Sequence, residues 1–160
     1  MRLIIAAVGK LKDDAERQMC ERYAKRFNAT GRPIGLGPLE IAELAESRNA
    51  SAEARKNDEA ARLLKITTQA DLTIALDAAG SQMASDAFAH LLARERDGGN
   101  RYAAFLIGGP DGHGEAVLRG AKLKLSLGAM TLPHGLARVV LAEQLYRAAT
   151  ILTGHPYHRA

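Results

Sequence analysis

The sequence predicts an α/β fold with a largely parallel sheet and flanking helices. Three observations predict it. The runs RLIIAAV (2–8), LTIALD (72–77) and YAAFLIG (102–108) are short, apolar and rich in β-branched or aromatic residues. Such runs suit strands buried on both faces. The segments between them are long enough for helical crossovers and carry helix-start residues. Glycine and proline clusters then end the elements, as at Gly31–Pro38 and Asp97-Gly98-Gly99.

The elements come in order. Asp13 or Asp14 caps a helix running to about Phe27, after which Gly31, Pro33, Gly35, Gly37 and Pro38 break the chain. A weak strand is expected near 38–43. Ser51 caps a helix to about Ile66, and Ser85 one to about Arg96. The third clear strand runs into the loop GGPDGHG and a short helix over about 115–121. LKLSLGAMTLP (123–133) holds one more short strand and a loop. A long helix, capped by His134, spans His134 to about Thr153 and is stopped by Gly154 and Pro156.

At 160 residues the chain suits a single domain, 1–160, with one core and no need of a disulfide or metal. The single cysteine, Cys20, fits a reducing compartment. The N-terminal apolar run is too short for a signal segment, and no run is long enough to span a bilayer. These features predict a soluble, cytoplasmic protein with no membrane partner. Charge is uneven. Residues 1–32 hold eight Lys/Arg against four Asp/Glu, 33–100 seven against eleven, and 101–160 seven against three. The ends are each +4 and the middle −4, which is either ordinary surface scatter or a basic surface that meets a polyanion.

Four segments carry candidate chemistry. IGGPDGHGE (107–115) lies where a strand hands over to a helix, the ligand edge of open α/β sheets. It is neither a P-loop, since Glu115 and Ala116 stand where Lys and Ser/Thr are needed, nor a dinucleotide G-x-G-x-x-G fingerprint. A ligand with little phosphate charge or a plain tight turn both suit it. SLGAMTLPHG (126–135) is kinked and small enough to offer backbone groups to a purine edge, or simply joins strand to helix. In ARVVLAEQLYRAATIL (137–152), Arg138, Glu143 and Arg147 stand amid apolar residues. They sit either on an ordinary surface helix or at the seam with a second protomer. The tail HPYHR (155–159) lacks the cysteine and the fixed helical geometry of a metal site. It is a disordered end, or a group of residues suited to RNA contact and acid–base chemistry.

FLIGGPDG, LSLGAMTLPHGLAR, EQLYRA and GHPYHR, with AVGKLKDD and YAKRF near the start, together resemble the SPOUT-class methyltransferases that act on a pseudouridine of bacterial 23S ribosomal RNA. One departure is Gly128, where that family's S-L/F-S pattern has serine. The resemblance implies a sheet whose C-terminal part threads a trefoil knot. It implies S-adenosylmethionine as cofactor, lined by Leu76, Gly108, Leu127, Gly128, Ala129, Met130, Thr131 and Leu132. It also implies a homodimer with sites at the interface. The reaction would be methylation of N3 of a pseudouridine in the large subunit or whole ribosome.

The chemistry of that reaction names further candidates. N3–H must lose its proton before or during attack. His158 is the first candidate to assist, since an ordinary imidazole titrates near 6.5. Tyr157 would contact the base, and Arg159, with Arg138 or Arg147, would stabilise the developing anion. Gly108 would present its backbone to the cofactor. The apolar residues of the last helix would need a second protomer to cover them. The tail would fold beside the transferred methyl group as one wall of the RNA site. A ribose 2′-O-methyltransferase on the same scaffold, or a non-catalytic ribosome assembly factor, are the rival readings.

Overall fold

The computed structural model describes residues 1–12 and 14–159, with the backbone alone of Arg159. Of the two candidate caps for the first helix, Asp13 lies outside the described residues. Asp14 caps it, accepting from the backbone N–H of Glu16 and Arg17.

The chain runs β1 (Arg2–Val8), α1 (Ala15–Gly31), β2 (Leu39–Leu44), α2 (Ala52–Ile66), β3 (Leu72–Ser81), α3 (Ser85–Asp97), β4 (Tyr102–Ile107), α4 (Glu115–Gly120), β5 (Leu123–Leu125) and α5 (His134–Thr153). Short 3₁₀ turns cover Arg32–Ile34 and Pro156–Arg159. The strands form one sheet in the order β2-β1-β4-β3-β5, and every neighbouring pair is parallel. β1 and β4 lie inside the sheet, which is why their sequences are almost continuously apolar.

Successive side chains of a strand point to opposite faces, and the core divides accordingly. Leu3, Ile5, Ile74 and Phe105 pack with Phe27, Phe88, Leu92, Leu141 and Leu145, from α1, α3 and α5. Ile4, Ala6, Ala104 and Leu106 pack on the other face with Leu63 of α2 and Val117 of α4. Cys20 is buried in α1, and that burial pushes its thiol pKa up to about 11, which keeps it unreactive. Among the described residues no helix is long and apolar enough to cross a membrane.

Several expectations are corrected. α1 continues to Gly31, a turn beyond Phe27. β3 continues to Ser81 through an irregularity after Leu76, where it rejoins Leu125 of β5. Ser85 is the first residue of α3 rather than its cap, a place taken by Ala84, and its hydroxyl donates to Gln144 Oε1 at 2.7 Å. His134 likewise opens α5 behind Pro133 and makes no capping bond.

The largest correction concerns α5. Half of its twenty residues are buried within this one chain, covered by α1, α3 and the sheet. Its apolar content therefore does not by itself call for a second protomer. The residues that stay half-buried or exposed include a mixed stripe, Leu136, Val140, Glu143, Gln144, Arg147 and Ile151.

Arg138 is 1% exposed. Its Nη1 donates to Glu43 Oε1 at 2.7 Å, and its Nη2 to the carbonyls of Val8 and Gly9 at 2.7 and 2.8 Å. Arg138 fastens α5 to the ends of β1 and β2. It is enclosed in the core and not available to a reaction.

Candidate functional site

The C-terminal ends of β3, β4 and β5 open into a cavity of about 300 Å³. In a parallel sheet every strand delivers its following loop to this same edge, so three distant segments converge there. They are 76–78, 107–113 and 125–132, with His134 and Ala137 from the first turn of α5. Of the residues expected to hold a cofactor, Leu76, Gly108, Leu127, Gly128, Met130, Thr131 and Leu132 all line it. Ala129 does not.

The lining is mostly apolar, and its charge is one-sided. Asp77 is its carboxylate; among the described lining residues there is no lysine or arginine. Phosphate would meet no cation there, whereas a cationic ligand would meet Asp77.

The 107–113 loop is held from outside the cavity. Arg55 of α2 grips Asp111 in a fork, Nε to Oδ2 at 2.7 Å and Nη2 to Oδ1 at 3.2 Å. The hydrogen bond from Arg55 lowers the Asp111 pKa. A Cβ on Gly109 would lie 2.5 Å from Glu59 Oε2, a buried carboxylate whose other oxygen accepts from the Ser47 N–H at 2.8 Å. Glu115, suspect beside a ligand loop, instead pairs with Arg119 on the exposed side of α4.

Gly108 and Gly128 serve different purposes. A Cβ on Gly108 would sit 2.8–3.0 Å from the Gly112 carbonyl and the His113 nitrogen. Its missing side chain lets the loop close on itself; it is not a gap left for a ligand. Gly128 has φ +144°, with nothing near its missing Cβ. Serine would be strained in that conformation, so this chain's departure from the family pattern accompanies a loop shape that favours glycine. Ser126 Oγ supports the turn, donating to the Gly128 carbonyl at 3.0 Å and accepting from its N–H at 3.3 Å.

His113 escaped the sequence reading, although it stands inside the quoted GGPDGH. It is 8% exposed and lines the cavity. Its Nε2 lies 3.2 Å from the Leu106 carbonyl, which can only accept, so Nε2 carries the proton. Nδ1 is buried without a hydrogen-bond partner among the described residues. Burial lowers the His113 pKa. The Leu106 carbonyl, Asp77 and the Leu76 carbonyl oppose that shift, and His134 adds to it. Asp77, Ser126 and His134 were also missed as lining residues. Ser126 and His134 stand inside the singled-out SLGAMTLPHG, and Asp77 at the end of LTIALD, but nothing in those runs marked the individual side chains.

Among the described residues, none of the tail lines this cavity in its own chain. The Tyr157 hydroxyl donates to Glu143 Oε1 at 3.1 Å, and its ring lies 4.6 Å from that of Tyr146. The Arg147 guanidinium sits 5.2 Å from the Tyr157 ring and pairs with Glu143 at 2.8 Å. Burial, then the neighbouring Tyr23 and Glu143, raise the Tyr157 pKa, so the phenol stays protonated. His158 Nδ1 bonds the His155 carbonyl. Ala137, at the cavity, and Tyr146, under the tail, are nine residues apart on one helix, about 13 Å. The expected juxtaposition of tail and cavity is therefore absent within a protomer. Among the described residues no group of three His, Cys, Asp or Glu could hold a metal ion.

Comparison with known proteins identifies the scaffold. A family model described as "Predicted SPOUT methyltransferase" matches residues 1–158. The chain belongs to the SPOUT methyltransferase family. Within this family it is 50% identical to a protein of Xanthobacter autotrophicus named ribosomal RNA large subunit methyltransferase H. It is 48% identical to the protein of the same name from Brucella anthropi. Each alignment covers 160 residues and all of both chains. Among solved structures, a probable methylase family protein from Haemophilus influenzae matches with a TM-score of 0.55 at 13% identity. That match covers 97% of this chain and 69% of the other, and shows a shared fold.

Proposed function

We propose that this chain methylates N3 of a pseudouridine in bacterial 23S ribosomal RNA with S-adenosylmethionine. We place it in the cytoplasm, acting as a single-domain homodimer on the large subunit or whole ribosome. The observation that carries this reading is the full-length 50% identity to a named large-subunit rRNA methyltransferase. The cavity built from the corresponding segments supports it.

The residues present fit this cofactor. Leu76, Gly108 and the 127–132 loop would hold its adenosine through apolar walls and backbone groups, and Asp77 would face its positive charge. Bound there, S-adenosylmethionine supplies an electrophilic methyl on a sulfonium whose leaving group needs no proton. The chain's own task is then to position the base and accept the N3 proton.

His158 is the proposed proton acceptor, and Arg159 the proposed partner of the developing anion. Tyr157 is assigned positioning, because its phenol is held protonated against Glu143. Tyr157 and His158 lie along α5 from their own cavity, so in this reading the tail serves the cavity of the other protomer. The expected knot belongs to the same proposal. It is favoured by β5 lying at the sheet edge beside β3, while α5 returns to pack on α1 and α3.

The test uses ribosomes from cells lacking the gene, treated with the protein and labelled S-adenosylmethionine, with nucleoside mass analysis of the product. The expected product is an N3-methylated pseudouridine. Label on a ribose 2′-oxygen would assign the rival transferase activity. No label despite cofactor binding would point to an assembly factor.

A further inference from the structure

The cofactor cavity and the tail leave unassigned a strip of cations on the exposed face of α1. Arg22, Lys25, Arg26 and Arg32 are all exposed. The first three lie on one side of α1 at helical spacing, and Arg32 extends that side into the following 3₁₀ turn. Together they cover about 15 Å of helix. Among the described residues none of the four enters an ion pair. By contrast Arg17, Arg55, Arg62, Arg96, Arg119 and Arg138 each hold a carboxylate. The side chains that keep the fold together are thus distinct from these, and four unneutralised charges on one face imply an external anion.

The surroundings specify which anion. The Arg26 guanidinium lies 5.9 Å from the ring of Tyr146, which is 6.1 Å from Tyr23 and 4.6 Å from Tyr157. The cationic strip therefore runs without a break into an aromatic group that includes the tail. Rows of arginine and lysine beside aromatic rings suit a nucleic-acid strand, with phosphates on the cations and bases near the half-buried Tyr23 and Tyr157. A membrane-binding helix would need a broad apolar face beside its cations. Of the large exposed apolar side chains only Met19 belongs to α1. A self-pairing interface would set like charges against like across a two-fold axis, which is unfavourable.

We infer that the α1 face formed by Arg22, Lys25, Arg26 and Arg32 grips the phosphodiester backbone of the RNA, away from the cofactor cavity of the same protomer. The inference rests on the reading of the chain as an rRNA methyltransferase and adds the surface by which the RNA is held. It also gives the basic N-terminal third of the sequence a physical role.

The experiment compares wild type with the triple variant Arg22→Gln/Lys25→Gln/Arg26→Gln, and with Lys65→Gln on α2 across the sheet as control. The probe is protein-free 23S rRNA, titrated at several KCl concentrations. Three lost phosphate contacts should flatten the slope of log affinity against log salt by about two to three, and weaken binding by roughly tenfold or more at physiological salt. Affinity for S-adenosylmethionine should not change, which shows that the variant is folded. Lys65→Gln should bind as wild type does. An unchanged salt slope in the triple variant would overturn the inference, as would an equal loss per charge in Lys65→Gln. Normal binding to bare rRNA with weakened binding to intact subunits would overturn it in favour of a ribosomal-protein contact. If wild type bound cofactor but neither rRNA nor subunits, the rRNA reading itself would fall.

Discussion

A Cβ on Gly108 would press on the backbone of Gly112 and His113, 2.8–3.0 Å away. Backbone cannot swing aside as a long side chain can, so Gly108→Ala should displace the 108–113 loop. We expect S-adenosylmethionine affinity to fall more than tenfold, over about 1.4 kcal/mol. The melting temperature should fall with it, and calorimetry with thermal unfolding would register both. An unchanged affinity would mean that the loop tolerates the shift and does not shape the site. His113 makes a different claim, about pH. Its pKa in the folded chain lies below that of a solvated imidazole because burial disfavours the cation. Between the two pKa values the unfolded chain binds more protons, so stability rises with pH and is lost as pH falls from about 6.5 through the folded value. His113→Gln keeps a donor for the Leu106 carbonyl and removes the titration. Its melting temperature should drop less between pH of about 7.5 and 5 than that of wild type. Equal drops in the two proteins would place the acid sensitivity elsewhere.

Two elements at opposite ends of α5 show what a helix holds and what it presents. Arg138 joins α5 to Glu43 and to the carbonyls that end β1. Arg138→Met leaves those acceptors buried without their donor, and should cost about 3–5 kcal/mol in urea unfolding. The folded variant should keep its rate of methyl transfer, since the guanidinium is enclosed. A large loss of rate without loss of stability would restore Arg138 to the reaction. Past the other end, the tail rests on Tyr146, Glu143 and Arg147. Removing residues 155–160 uncovers one side of Tyr146 but takes no described lining residue from the cavity, so fold and cofactor affinity should survive. Methyl transfer should fall by about a thousandfold or more as both positioning and proton transfer are lost. A near-normal rate on ribosomes would remove the tail from the mechanism. These elements also mark where the sequence was readable. α2 and α5 were read correctly because Ser51 caps the first and Gly154 ends the second through local chemistry. β2 read weakly because an edge strand, LEIAEL, mixes carboxylates with apolar residues. Ser85 and Arg138 were misread because each is spoken for by a residue 59 or 95 positions away, Gln144 and Glu43. The segments that line the cavity were legible as contiguous motifs. The direction in which α5 carries the tail is a property of the packed sheet and was not.

The assembled chain poses a problem of distance. α5 is twenty residues, about 30 Å, with the cavity at its first turn and the tail folded back from its last onto its middle. A mechanism that needs both, in a protomer that keeps them apart, requires either a large rearrangement of the tail or a second copy. The mixed stripe along α5, Leu136, Val140, Gln144 and Ile151 with Glu143 and Arg147, offers a surface for that copy. Two such helices packed antiparallel would bring each tail toward the other cavity, and a two-fold arrangement would do so twice. Complementation separates the alternatives. One chain carries Gly108→Ala and an intact tail; the other has an intact cavity and lacks residues 155–160. With S-adenosylmethionine held well below the dissociation constant of the Gly108→Ala chain, each alone should be nearly inactive. Mixed dimers, isolated through two different tags, contain one cavity of wild-type sequence faced by one wild-type tail. They should recover about half the rate of the wild-type dimer if the tail acts across the interface. If each tail serves its own cavity, no pairing in the mixed dimer unites an intact cavity with an intact tail, and the mixture should stay inactive.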